Sequence, residues 1–126
     1  MGYRSEVVLA ISKHLTPFLT LATAQNAAAQ TLVFKDADHF DRDYGGDKSW
    51  LLRWDHIKWY ESYEDVQTLE KFICEATSDE YSFEVDGQTQ NSSEHIKFVR
   101  VGEESGDVEM SGDGFWDIYP TTHICY

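Results

Sequence analysis

Basic residues are scarce in this chain and vanish toward one end. Ten Lys and Arg stand against 23 Asp and Glu in 126 residues, a formal net charge of −13, and no Lys or Arg follows Arg100. A basic stripe is therefore missing. This argues against direct nucleic-acid binding, where neutralising the phosphate backbone supplies most of the affinity. An anionic membrane surface is disfavoured for the same reason. Cysteine is also sparse: Cys74 and Cys125 lie too far apart in sequence to make a secreted disulfide scaffold. No apolar run approaches the length of a membrane-spanning helix. No basic segment followed by an apolar stretch marks a secretory leader, so the Asn91-Ser92-Ser93 triplet reads as a chance match to a glycosylation site. The expectation is a cytoplasmic chain with both thiols free.

Motifs for chemistry are equally absent. There is no Gly-rich phosphate loop, no dinucleotide fingerprint and no G-x-S-x-G elbow. The Asp-rich run resembles a calcium loop only at first glance. Starting from Asp41, Asp43 and Gly46 fit positions three and six, but Gly45 and Leu52 fail at five and twelve. His39, His56, His95, His123, Cys74 and Cys125 offer one H-x-C pair and no second pair at zinc-ligand spacing. A Cys–His nucleophile pair drawn from the same residues has no local support. Carboxylates are so abundant that pairs of them point to nothing. The chain is expected to be no enzyme, with no metal and no cofactor.

What the chain does have is a core supply and an acidic skin. Apolar residues make up 41% and aromatics 14%, with four Trp, seven Tyr and seven Phe. A disordered acidic tail would lack these. At this length the chain is one domain, large enough to bury roughly two thirds of its unfolded surface.

The patterning predicts alternating strands and helices. SEVVLAI (5–11) is an apolar, β-branched run that reads as a buried strand. Thr16-Pro17 opens a helix rich in alanine to Ala29, with an apolar stripe of Leu15, Phe18, Leu19 and Ala22. TLVF (31–34) reads as a second strand, followed by the Asp run and a Tyr-Gly-Gly-Asp turn. WLLRWDHIKWY (50–60) is the strongest strand, with Trp50, Leu52 and Trp54 on the core face and a break in alternation near His56. Ser62 caps a second helix whose stripe is Val66, Leu69, Ile73 and Ala76, with Phe72 beside it. YSFEV (81–85), a polar loop from Asp86-Gly87 to Ser93, IKFVRV (96–101) and short apolar pieces at 108–110 and 115–119 complete the chain. The fold class is α+β. The order β-α-β-β-α-β plus extra C-terminal strands fits a ferredoxin-like sandwich: an antiparallel sheet with both helices on one face and the other face free to bind or to form a homodimer.

The acidic residues concentrate in two punctuated segments. One holds Asp36, Asp38, Asp41, Asp43 and Asp47; the other holds Glu103, Glu104, Asp107, Glu109 and Asp113. Nine further acids lie between Glu61 and Asp86. Charge of this density attracts basic surfaces and speeds encounter with them. Most aromatics belong to the core. Trp59, Trp116 and Tyr119 are the candidates for exposed anchors, since Trp and Tyr dominate interface energetics.

Three stretches carry a resemblance. MGYRSEVVLAI, WDHIKWYESYEDVQTLEKF and FVRVGEESGDVEMSG resemble a family of small uncharacterised phage and prophage proteins, with its Gly-Tyr-Arg-Ser start, WxxIKWYxxYxxV segment and Arg-x-Gly-Glu strand end. These stretches cover roughly half the chain; the DGQTQNSSEH loop is longer than that pattern has. The resemblance implies a phage accessory protein in a bacterial cytoplasm. It suggests an anti-defence inhibitor, of anti-CRISPR or anti-restriction type, whose spaced carboxylates imitate DNA phosphates on a basic surface of a host defence complex. Two alternatives remain: a sponge for a nucleotide signal, with Arg4, Arg53, Lys58, Lys97 and Arg100 as phosphate donors, and an acidic protein-interaction module without an inhibitor role.

Overall fold

The computed structural model describes residues 2–114, 116, 118–120 and 124–125. The α+β class holds: a five-stranded antiparallel sheet, two two-stranded sheets and three α-helices. The large sheet has the order β2-β3-β1-β6-β7. Its members are β1 (Ser5–Ile11), β2 (His39–Tyr44), β3 (Ser49–Ile57), β6 (Ile96–Gly102) and β7 (Val108–Ser111).

Strand β1 spans the residues its sequence predicts and lies at the centre, paired with β3 and β6. Both its faces are buried, which explains its unbroken apolar run. Val7, Leu9 and Ile11 face the helices, with Leu52, Trp54, Ile96 and Phe98 from the neighbouring strands. Val8 and Ala10 face the other side with Leu51, Val99 and Ile118. The break near His56 is real. Ser5 pairs with Ile57 but Val7 with Trp54, so β3 carries an extra residue there, and His56 sits at φ 49°.

The Ala-rich helix is two helices, α1 (Thr16–Thr23) and α2 (Ala27–Phe34). Asn26 breaks them: its side-chain oxygen accepts the Ala29 N–H at 2.9 Å and caps α2. The segment TLVF, expected as a strand, is the last turn of α2, with Leu32 and Val33 buried against the sheet. The second strand lies instead within the Asp run. Thr16 does not cap α1; its hydroxyl donates to the Lys13 carbonyl. Helix α3 (Glu64–Thr77) starts two residues after Ser62, and its buried residues are Val66, Leu69, Phe72, Ile73 and Ala76, the stripe the sequence predicts.

The loop expected from Asp86 to Ser93 is mostly a hairpin of β4 (Ser82–Val85) and β5 (Gln88–Asn91). Asp86 and Gly87 both take positive φ, as a two-residue primed turn requires. A 3-10 turn over Ser92–His95 leads into β6. Tyr81 stacks on Phe18 at 4.7 Å and closes the core between α1 and α3. The second sheet face is not free. Ile118 is buried on it and Trp116 packs beside it, followed by the short pair β8 (Tyr119–Pro120) and β9 (Ile124–Cys125).

Candidate functional site

The first acidic segment runs along β2, one edge of the sheet. Aspartate is a poor strand former, so an inward aromatic anchors the strand. Phe40 packs edge-to-face on Trp50 at 5.2 Å, and the Arg42 guanidinium lies 4.1 Å from the Phe40 ring centre. The carboxylates build their own hairpin. Asp55 donates its N–H to Asp38 Oδ2 at 2.6 Å, Asp43 to Asp41 Oδ1 at 2.8 Å, Lys48 to Asp43 Oδ1 at 2.9 Å and Ser49 to Asp47 Oδ1 at 3.2 Å. The hydrogen bonds from Ser49 hold the Asp47 carboxyl below the usual carboxylate range. Each bond uses a fraction of an ionised carboxylate's acceptor capacity. Asp36, Asp38, Asp43 and Asp47 remain exposed, and Asp41 is half-buried.

The second acidic segment surrounds the β6–β7 turn, at the other edge. Arg100 is its hub. Its side chain is only 11% exposed and reaches Asp107 Oδ1 and Glu109 Oε1, each at 2.7 Å. The Tyr3 hydroxyl donates to Asp107 Oδ2 at 2.6 Å and accepts the Glu104 N–H at 2.9 Å. The Tyr3 N–H in turn donates to the Tyr60 hydroxyl at 2.7 Å, and Glu103 Oε1 accepts the Arg4 N–H at 3.0 Å. Arg100 and Tyr3 together pull the Asp107 carboxyl down to about 2. The stabilisation from Asp107 is present above about pH 4, the unfolded value, and is lost as pH falls through about 2. Acid unfolding followed by circular dichroism checks this: Asp107→Asn is expected to flatten the stability profile between those two pH values.

Two of the five predicted acids of this segment, Asp107 and Glu109, thus hold the fold together through Arg100. Glu103, Glu104, Glu109 and Asp113 are exposed. The sequence gives no local sign of this cluster, because Tyr3 and Asp107 are 104 residues apart.

The two acidic turns do not meet. The β2–β3 turn lies at the Ile11 end of β1, and the β6–β7 turn at the Ser5 end. They also occupy opposite edges, four strand spacings or about 19 Å apart. They are diagonal corners of the sheet, not one patch.

Of the three aromatic anchors, burial corrects Trp59. Trp59 is only 7% exposed, tilted against Trp54 and Phe98, with its Nε1–H donated to Glu70 Oε1 at 2.7 Å. It is a core residue. Trp116 is half-buried on the second sheet face. The side chain of Tyr119 lies outside the described residues.

Four of the five cations suggested for a phosphate ligand already have partners within the chain. Arg100 is ion-paired, Arg53 lies 3.2 Å from Asp55, Arg4 donates to the His56 carbonyl at 3.0 Å, and Lys97 donates to the Gly112 carbonyl at 3.4 Å. Among the described residues no three His, Cys, Asp or Glu side chains group as metal ligands, and no helix is long and apolar enough to cross a membrane. Comparison with known proteins finds no matching family model, no matching curated protein and no matching solved structure.

Proposed function

We propose that this chain is a binding protein that presents the carboxylates of its β2–β3 hairpin to a basic, nucleic-acid-handling surface of a host complex. A phage-encoded anti-defence inhibitor acting in the bacterial cytoplasm, of anti-CRISPR or anti-restriction type, is the form of this reading that the family resemblance favours. The carrying observation is that Asp36, Asp38, Asp43 and Asp47 stay exposed in and beside the edge hairpin, while backbone N–H groups fix the carboxylates of Asp38, Asp43 and Asp47. Preorganised negative charge at a sheet edge can take the place of backbone phosphates, and a net charge of −13 steers the encounter. A ferredoxin-like sandwich is the finer reading of the fold. The order β2-β3-β1-β6, antiparallel throughout, and the helical connections after β1 and β3 support it.

The experiment is a pull-down from bacterial lysate at low salt, followed by titration of the captured complex against salt. Affinity is expected to fall steeply as ionic strength rises from roughly 0.01 to 1 M, where the Debye length shrinks from about 30 to about 3 Å. The quadruple change of Asp36, Asp38, Asp43 and Asp47 to Lys is expected to abolish capture. Affinity indifferent to salt, or full capture by that variant, would sink the proposal.

A further inference from the structure

A second cluster lies at the Ile11 end of the sheet, and of the carboxylates used above only Asp47 borders it. Ser12 directly follows β1, at the strand-to-helix turn that leads into α1. Its Oγ lies 2.8 Å from His95 Nδ1, and His95 Nε2 lies 2.6 Å from Gln90 Oε1. A side-chain amide oxygen only accepts, so Nε2 carries the ring proton and Nδ1 presents a lone pair to the Ser12 hydroxyl. The His95 ring is 5% exposed and clamped edge-on by Phe83 at 4.7 Å and His14 at 5.5 Å. Burial pushes its pKa down, which keeps it neutral and able to take a proton. The backbone also fixes Ser12: its N–H donates to the His95 carbonyl at 2.9 Å, and the His14 N–H donates to its Oγ at 3.2 Å.

This arrangement meets the geometric test for an activated nucleophile, in which a hydroxyl bonds to a base that a third group orients. Ser12 and His95 line a cavity of about 190 Å³ together with Lys13, Asp47 and Trp116. That volume is below the usual range for drug-sized ligands, so it suits a short acyl group. Lys13 and Asp47 bring opposite charges to the cavity lining.

We propose that Ser12 and His95 are catalytic residues for cleavage of short-chain carboxylic esters, with Gln90 as a positioning residue that holds the His95 tautomer. Ser12 Oγ bonds to the ester carbonyl carbon as its proton passes to His95 Nδ1. The carbon–oxygen bond to the alcohol then breaks, and the departing alcohol takes that proton. Water attacks the acyl-serine, gives a proton to His95, and the carboxylic acid leaves as Ser12 recovers its hydrogen.

The experiment treats the whole chain with a fluorophosphonate probe and maps the adduct by mass spectrometry, alongside turnover of 4-nitrophenyl acetate. One adduct on Ser12 is expected, lost in Ser12→Ala. His95→Asn is expected to slow labelling by about 100-fold or more. Gln90→Ala is expected to slow it about tenfold, and Gln90→Glu to restore it, because a carboxylate also accepts from Nε2–H. A folded wild-type chain that forms no Ser12 adduct overturns the proposal, whatever becomes of the variants. So does equal labelling of a His95→Asn variant that keeps its circular dichroism spectrum.

Discussion

Trp54→Ala is expected to lower stability by about 3–5 kcal/mol, the usual cost of emptying a large aromatic site in a core. Of a total of roughly 5–15 kcal/mol for a domain, that is a third or more of the stability over most of the range. Trp54 is 1% exposed, sits on the helix-facing side of β3 and touches Trp59. It also closes a helix. Its Nε1–H donates at 2.9 Å to the Leu32 carbonyl in the last turn of α2, where carbonyls lack an intrahelical donor. Trp54→Phe separates the two roles. It keeps a ring in the core and leaves the Leu32 carbonyl unpaired, so a smaller loss of about 1–3 kcal/mol is expected. Urea denaturation of both variants measures the difference.

Gly112→Ala is the second large effect. Gly112 follows β7 at φ 89°, and a Cβ there would run into the Ile96 carbonyl at the start of β6. Backbone strain and steric overlap act together, and a loss of roughly 2–4 kcal/mol is expected. Gly46→Ala is the control. Gly46 also has positive φ, at 77°, but a Cβ there meets nothing within 4 Å, so only conformational strain of about 1 kcal/mol is expected. Comparable losses at the two glycines would show that contact with Ile96 contributes nothing.

The sequence made some elements readable and hid others for physical reasons. Strand β1 was plain because burial on both faces leaves a continuous apolar signature. The α3 stripe was plain because one face of a long helix repeats its spacing over several turns. TLVF failed because four apolar residues fit a buried strand and a buried helix turn equally well, and the deciding signal was the Asn26 cap upstream. The Asp run read as a turn region because Asp disfavours strands, yet an edge strand tolerates charge and even benefits from it. Trp59 reads as exposed in the sequence because its burial, two residues beyond β3, depends on contact with α3, which no local pattern records. The Tyr3–Asp107 and Ser12–His95 contacts span 104 and 83 residues, so they exist only once the sheet has closed.

The central place of β1 also bears on how the chain is made. Ile11 leaves the ribosome about ninety residues before Gly102, which ends the strand that completes its pairing. At roughly 5–20 residues per second, Val7 to Ile11 wait on the order of 5–18 s with one backbone edge unsatisfied. During that interval the most apolar segment of the protein is a sticky, half-paired strand. Glu6 is the only acidic residue among the first 35, so the segment gains acidic neighbours only as the chain from Asp36 onward emerges.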